Sequence, residues 1–249
     1  MSEFNPFSLS GKTILVTGAS SGIGRAIAIA CSRMGATVVV SGRNIQKLES
    51  TMSSLEGEYN QMFSADLTKE EEVKNMAGQV PQLDGIVHCA GMGHRKPAKM
   101  VTEDDIETVM RANFNGAVLL QAALLTLKKV KKDSSIVFIA SKAADFPSTG
   151  NAIYSASKGA LISYARCLAL ELAPRGIRVN CICPAMVWTD LIMQDEVTLE
   201  QLKESEKNYP LRRYGKPEDV ANLAMYLLSD ASSWMTNSCL DITGGCNSL

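Results

Sequence analysis

Residues 13–25, TILVTGASSGIGR, decide the fold. The first five are mostly β-branched and read as a short buried strand. They run straight into three spaced glycines, and a helical pattern follows. Gly18, Gly22 and Gly24 let the backbone turn tightly and bring amide N–H groups close to a ligand. A helix N-terminus at this point adds partial positive charge, which suits a pyrophosphate. The spacing is G-x-x-x-G-x-G rather than the common G-x-G-x-x-G. Glycines also close ordinary strand–helix corners, so the turn acquires meaning only from what surrounds it.

Outward from this turn, short apolar runs alternate with amphipathic stretches along the whole chain. The pattern predicts strands over 13–17, 37–41, 59–63, 85–89, 135–140, 178–183 and 239–242. It predicts helices over 22–34, 44–55, 69–79, 103–131, 151–173 and 217–229, the 103–131 stretch being long enough for two. Such alternation specifies an α/β fold with a parallel sheet and helices on both faces. No linker, repeat or low-complexity segment interrupts it, so residues 1–249 are expected to form a single domain. In an open parallel sheet ligands gather at the loops after the strands.

Composition narrows the function. A formal net charge of −1 argues against nucleic acid, which requires a basic face. Two histidines, His88 and His94, are too few for a histidine-rich metal site. Seven scattered cysteines without a C-x-x-C pair, and no secretory leader, predict reduced thiols and a cytoplasmic location. The most apolar stretch, 117–127, is shorter than the ~18 residues a membrane helix needs, so it reads as a buried helix.

The loops after the second and third strands refine the ligand. An acidic residue after strand two usually binds ribose hydroxyls, whereas an arginine suits a 2′-phosphate. Here the sequence is Ser41-Gly42-Arg43-Asn44. Arg43 therefore favours NADP, with NAD as the alternative. Asp66 follows strand three and is expected to accept from the adenine amino group. Thr68 and Glu71 read as a capping box for the next helix, which would leave Asp66 free for that role.

The helix over 151–173 carries Tyr154 and Lys158 one turn apart. At one hundred degrees per residue, Leu161, Ala165, Leu168 and Leu172 share their side, so the pair points inward. An uncompensated buried ammonium is costly. Either this face opens into a cleft, or the charge is matched there. An ammonium beside a phenol favours the ionised phenol, and Tyr154 could then exchange a proton with a substrate oxygen. The opposite face, with Ala156, Ala160, Ser163, Cys167 and Leu170, is also small and apolar. A second subunit covering it predicts a homo-oligomer, dimer or tetramer.

Gly18-x-x-x-Gly22-x-Gly24, Asp66, Asn113, Ser141, Tyr154, Lys158, the run VNCICPA followed by Thr189, and Gly244-Gly245 together resemble the short-chain dehydrogenase/reductase family. Within it the pattern is most similar to the bacterial 3-oxoacyl-(acyl-carrier-protein) reductases. The resemblance covers nearly the whole chain. It implies a doubly wound Rossmann-type sheet and interconversion of a ketone and a secondary alcohol. It also implies a catalytic tetrad. Tyr154 would donate the proton, Lys158 would bind the nicotinamide ribose, Ser141 would hold the carbonyl oxygen, and Asn113 would hold a linking water, with Asn115 its rival. Cofactor contacts would come from Gly18, Ser20, Ser21, Gly22, Ile23, Gly24, Arg43, Asp66, Leu67, Ala90, Gly91, Tyr154, Lys158, Pro184, Ala185, Val187 and Thr189. No metal is implied.

Two departures stand out. His88-Cys89 replaces the family's Asn-Asn, which removes an amide that ties neighbouring strands. Ala185 replaces a glycine beside the nicotinamide, where positive φ would be costly. Substrate should be bounded by 92–97, 142–149 and 186–214, with Met186, Val187, Trp188, Leu191, Ile192 and Met193 as an apolar lid. His94 and Arg95 are candidate binders of an acidic group. Lys128, Lys129, Lys131, Lys132 and Arg175 are candidate docking charges for an acyl carrier protein. A dehydrogenase of sugars, polyols or steroids, and a non-catalytic dinucleotide-binding module, are the competing readings.

Overall fold

The computed structural model describes residues 5–190, 192 and 198–246. Seven strands form one parallel sheet in the order β3-β2-β1-β4-β5-β6-β7. They are β1 Thr13–Thr17, β2 Thr37–Gly42, β3 Gln61–Ser64, β4 Leu83–His88, β5 Val130–Ile139, β6 Arg178–Pro184 and β7 Cys239–Ile242. The order reverses between β1 and β4, which opens a crevice where the two halves diverge.

The sheet is buried on both faces because its strands are apolar on both sides. One face packs under α3 (Glu70–Gln79), α5 (Gly116–Thr126) and α6 (Ala152–Leu172), with Phe138, Leu120 and Leu161 at its core. The other packs under α1 (Gly22–Arg33), α2 (Ile45–Met52) and α8 (Pro217–Leu228), around Ile27, Val38 and Leu227. No helix among the described residues is long and apolar enough to cross a membrane.

The predicted 103–131 helix is a different object. It comprises α4 (Glu103–Met110), a π-helical segment Arg111–Asn115, and α5. It stops at Thr126 because Lys128 adopts a left-handed φ of 55°, and β5 begins at Val130. Lys131 and Lys132 therefore lie on a strand, not on a helix end.

A further helix, α7 (Leu199–Glu206), was not foreseen; Thr198 and Gln201 close its capping box. The capping box expected at Thr68 and Glu71 does not form. Lys69 occupies the N-cap of α3 without a side-chain bond.

Candidate active site

The glycine turn is shaped by contact rather than by flexibility. Gly18 has φ 66°, and a Cβ there would lie 2.8 Å from the Ala90 nitrogen. At Gly24 a Cβ would lie 2.3 Å from the Gly18 oxygen. Only hydrogen fits at either place, so the turn folds onto itself and onto the loop after β4. Ser21 is the N-cap of α1, yet it makes no side-chain cap bond, and the first turn carries no acid. The orphan amides at Gly22, Ile23 and Gly24 are thus left for an anion.

Around this anion site the other loops converge. Gly42 allows Ser20 to approach, since a Cβ at Gly42 would sit 3.2 Å from the Ser20 hydroxyl. Arg43 follows, exposed to solvent. Thr189 packs over Gly22 from the far side, its methyl 3.1 Å from where a Cβ would be. Val187 is buried and bridged to Gly215. A groove of about 380 Å³ runs along α1 from Gly22 to Ile29, closed by Trp188-Thr189-Asp190 and the start of α8. Leu67 presses its carbonyl against the start of α5, where Gly116 makes room for it. A narrow, uncapped, glycine-lined cradle of this kind fits a dinucleotide.

Asp66 is not the free carboxylate expected. Its Oδ1 accepts from the Thr68 amide at 3.0 Å and the Thr68 hydroxyl at 2.8 Å, and its own amide donates to Glu72. Burial pushes the Asp66 carboxyl up. The Thr68 bonds and the charges of Arg43 and Lys69 outweigh it and hold the group below its ordinary value.

The missing tie between β1 and β4 is supplied elsewhere. The Thr17 hydroxyl accepts from the amides of Cys89 (3.0 Å) and Ala90 (3.2 Å) and donates to the Val87 carbonyl. One buried hydroxyl thus joins β1 to the end of β4 and the loop beyond it. The concern over Ala185 also dissolves. Its φ is not positive, and its amide continues the ladder to the Ile242 carbonyl at 3.1 Å beyond Pro184, the last residue of β6.

The inward face of α6 is as the periodicity predicts, with Lys158, Leu161, Ala165, Leu168 and Leu172 buried. The Lys158 Nζ donates to the Ile139 carbonyl at 2.9 Å and lies 5.8 Å from the Tyr154 ring centroid. Gly91 borders the same space: a Cβ there would meet Asn113 Oδ1 at 3.0 Å and Lys158 Nζ at 3.6 Å. The wide π turn buries Asn113 beside Gly91 while leaving Asn115 exposed. Asn113 Oδ1 accepts from Met92 N at 2.7 Å, and its Nδ2 donates to Met92 O and to the Ser157 hydroxyl. Ser157 in turn donates to the Tyr154 carbonyl at 2.7 Å. Ser157 was not singled out from the sequence, although its place beside Lys158 was a signal. Ser141, just past β5, accepts from the Ala143 amide at 3.1 Å. Its hydroxyl proton has no acceptor among the described residues.

The expected substrate-bounding segment 92–97 is tied to Gly150, just past the expected segment 142–149, by a bond from Lys96 N to Gly150 O at 2.8 Å. His94 and Lys96 both bond to Asp105, the residue that also caps α4 through Thr102. His94 thus fixes its own loop rather than standing ready for an acidic ligand. The expected lid is a small aromatic core in which Trp188, Tyr209 and Tyr214 pack with Met186 and Ile192. Leu191 and Met193 lie outside the described residues. Of the candidate docking charges, Lys129 bonds to the Val80 carbonyl, Lys131 to Asp84 and Arg175 to the Val130 carbonyl. Lys128 and Lys132 remain exposed. This basic group sits at the start of β5, the end of that strand opposite to Ser141.

Comparison with known proteins agrees with this geometry. A family model described as enoyl-(acyl carrier protein) reductase matches residues 18–247. The 3-oxoacyl-(acyl-carrier-protein) reductase FabG of Rickettsia bellii is 35% identical over 95% of this chain and 97% of its own. That of Thermotoga maritima is 30% identical, covering 95% and 98%. A dehydrogenase/reductase from Sinorhizobium meliloti superposes with a TM-score of 0.90 at 31% identity, covering 98% of each chain. A candidate NAD(P)-dependent gluconate 5-dehydrogenase from Beutenbergia cavernae, solved with bound NADP, gives 0.87 at 33%, covering 97% and 98%. With a seven-stranded doubly wound sheet, an uncapped glycine turn and Tyr154 and Lys158 on one buried helix, the chain belongs to the short-chain dehydrogenase/reductase family of nicotinamide-dependent oxidoreductases.

Proposed function

We propose that this protein is an NADPH-dependent reductase of 3-oxoacyl thioesters, the acyl group being carried on acyl carrier protein or coenzyme A. The single observation that carries the catalytic part is the inward-facing Lys158. Its ammonium is fixed by the Ile139 carbonyl beside the Tyr154 ring, in a space bordered by Gly91 and Asn113. A cation held there favours the phenolate left when Tyr154 gives its proton to the substrate oxygen. Ser141 donates its free hydroxyl proton to that oxygen and stabilises the developing charge. Asn113 holds the loop after β4 and the start of α6 in register through Met92 and Ser157. In this arrangement its amide is a brace between two catalytic elements, and its part in a water relay runs through that brace.

The glycine turn and the α1 amides would hold the pyrophosphate, Arg43 the 2′-phosphate, and Pro184, Ala185, Val187 and Thr189 the nicotinamide side. When bound, the dinucleotide supplies hydride. The whole chain serves as one catalytic unit. The relatives favour an acyl thioester, whereas the gluconate dehydrogenase likeness favours a sugar acid. The test is NADPH oxidation with acetoacetyl thioesters on coenzyme A and acyl carrier protein, against gluconate-type sugars, steroids and an enoyl thioester. Turnover with the 3-oxoacyl thioesters at least tenfold above all others is expected. A preference for a sugar or for the enoyl group overturns the substrate, and binding without turnover overturns the catalytic reading.

A homo-oligomer follows from the outer face of α5 and α6. Leu170 is 69% exposed, and Leu119 and Leu127 are exposed on the neighbouring helix and its end. Apolar side chains in that number on adjacent helices mark a covered surface. Leu170→Glu is expected to shift the protein to a smaller species in analytical ultracentrifugation while leaving its melting cooperative. An unchanged mass would place the contact elsewhere.

A further inference from the structure

Three of the seven cysteines share one place in the fold. Cys181 and Cys183 alternate on β6, so both point to the face covered by α5 and α6. Cys239 lies on the edge strand β7, in register with Cys181, and packs against the same face. Cys181 and Cys183 are buried, whereas Cys239 is partly exposed. The Cys239 sulfur lies against the thiols of Cys181 and Cys183 and faces the guanidinium of Arg166 on α6. The remaining charged neighbours on this face are Asp145 and Asp241, the latter paired with Lys142.

The neighbouring thiols and a guanidinium draw the Cys239 thiol below its ordinary value, while contact with Cys239 and burial push Cys181 and Cys183 up. A partly exposed thiol drawn down beside two buried thiols in register is an arrangement in which one sulfur is oxidised and a neighbour resolves it. No group of three or more His, Cys, Asp or Glu among the described residues is arranged to hold a metal ion.

We propose that Cys239 and Cys181 form a peroxide-reactive dithiol, Cys239 being the oxidised sulfur and Cys181 the resolving one. The Cys239 thiolate attacks the terminal oxygen of a hydroperoxide. An S–O bond forms, the O–O bond breaks, and the departing oxygen takes a proton to leave as water or an alcohol. The Cys181 sulfur then attacks the resulting sulfenic acid. An S–S bond forms, the S–O bond breaks, and the hydroxyl leaves with the Cys181 proton as water. Two thiols lose two hydrogens, and the hydroperoxide is the oxidant. Register selects the resolving partner. Neighbours on paired strands lie about 4.8 Å apart, within the Cα range of roughly 4.4–6.8 Å that a disulfide spans. Cys183 is the diagonal neighbour at about 7–8 Å, beyond easy bridging. The site adjoins the catalytic end of the sheet, because Cys183 leads into Pro184 and Lys142 follows Ser141.

The test is to treat the reduced full-length protein with equimolar hydrogen peroxide, alkylate the remaining thiols and map the peptides by mass spectrometry. A Cys181–Cys239 linked peptide, reversed by dithiothreitol, is expected. Cys183→Ser should retain it, and Cys181→Ser should leave a dimedone-reactive sulfenic acid on Cys239. In the wild-type protein alone, Cys239 should react with peroxide roughly tenfold faster than glutathione added to the same solution. That comparison stands even if a serine variant fails to fold. Equal rates at Cys239 and glutathione, or a link from Cys239 to Cys183 or to a second chain, would overturn the assignment.

Discussion

Replacing Tyr154 with Phe is expected to lower turnover by about 10²–10⁴-fold, the usual worth of a positioned general acid. The ring stays, and so do its packing and the carbonyl that Ser157 bonds. The fold should therefore survive. The melting temperature should move little, and dinucleotide affinity, read by fluorescence titration, should stay within about threefold, since the phenol hydroxyl is not part of the anion cradle. The loss should appear in kcat rather than in the cofactor Kd. Turnover retained at a tenth or more of the starting rate would remove Tyr154 from the role of proton donor.

Arg43→Ala is the second large effect. Hydrogen bonds to a charged group contribute about 1.5–3 kcal/mol, or roughly 10–100-fold in affinity. Arg43 is solvent-exposed, so screening places the result toward the lower end of that range. NADPH binding should weaken by about tenfold or more, whereas NADH, lacking the phosphate, should change by less than about threefold. The NADPH preference of the starting protein should also shrink as salt rises, since the contact is electrostatic. Equal losses for both dinucleotides would contradict a phosphate contact at this arginine.

Most of the sheet could be read in advance because the central strands β1, β2, β4, β5 and β6 carry short β-branched or apolar runs closed by polar or glycine-containing loops. Where reading failed, the deciding term was not local. The run 117–127 continues in apolar residues through Leu127, and no glycine announces the left-handed turn at Lys128. The capping box expected at Thr68 and Glu71 is not used, because Thr68 bonds the Asp66 carboxylate instead. Thr17 was read only as a strand residue, although its hydroxyl holds β4 against β1. Such bonds join residues some seventy positions apart, and nothing in the flanking sequence encodes them. The catalytic candidates were legible for the opposite reason: Tyr154 and Lys158 are one helical turn apart, and periodicity alone sets which way they face.

The segment around Asn113 carries one more consequence. An α-helix advances about one hundred degrees per residue, so its faces are fixed by counting. The widened turn between α4 and α5 holds one residue more than an ordinary turn would. The widened turn absorbs that residue, so Leu120 and Leu124 beyond it still face the sheet. Removing a single amino acid there would restore regular winding and leave those leucines where they are, but it would take away the bulge that turns Asn113 inward. Evolution can shorten this stretch without disturbing the core, and what it would lose is the brace at Asn113.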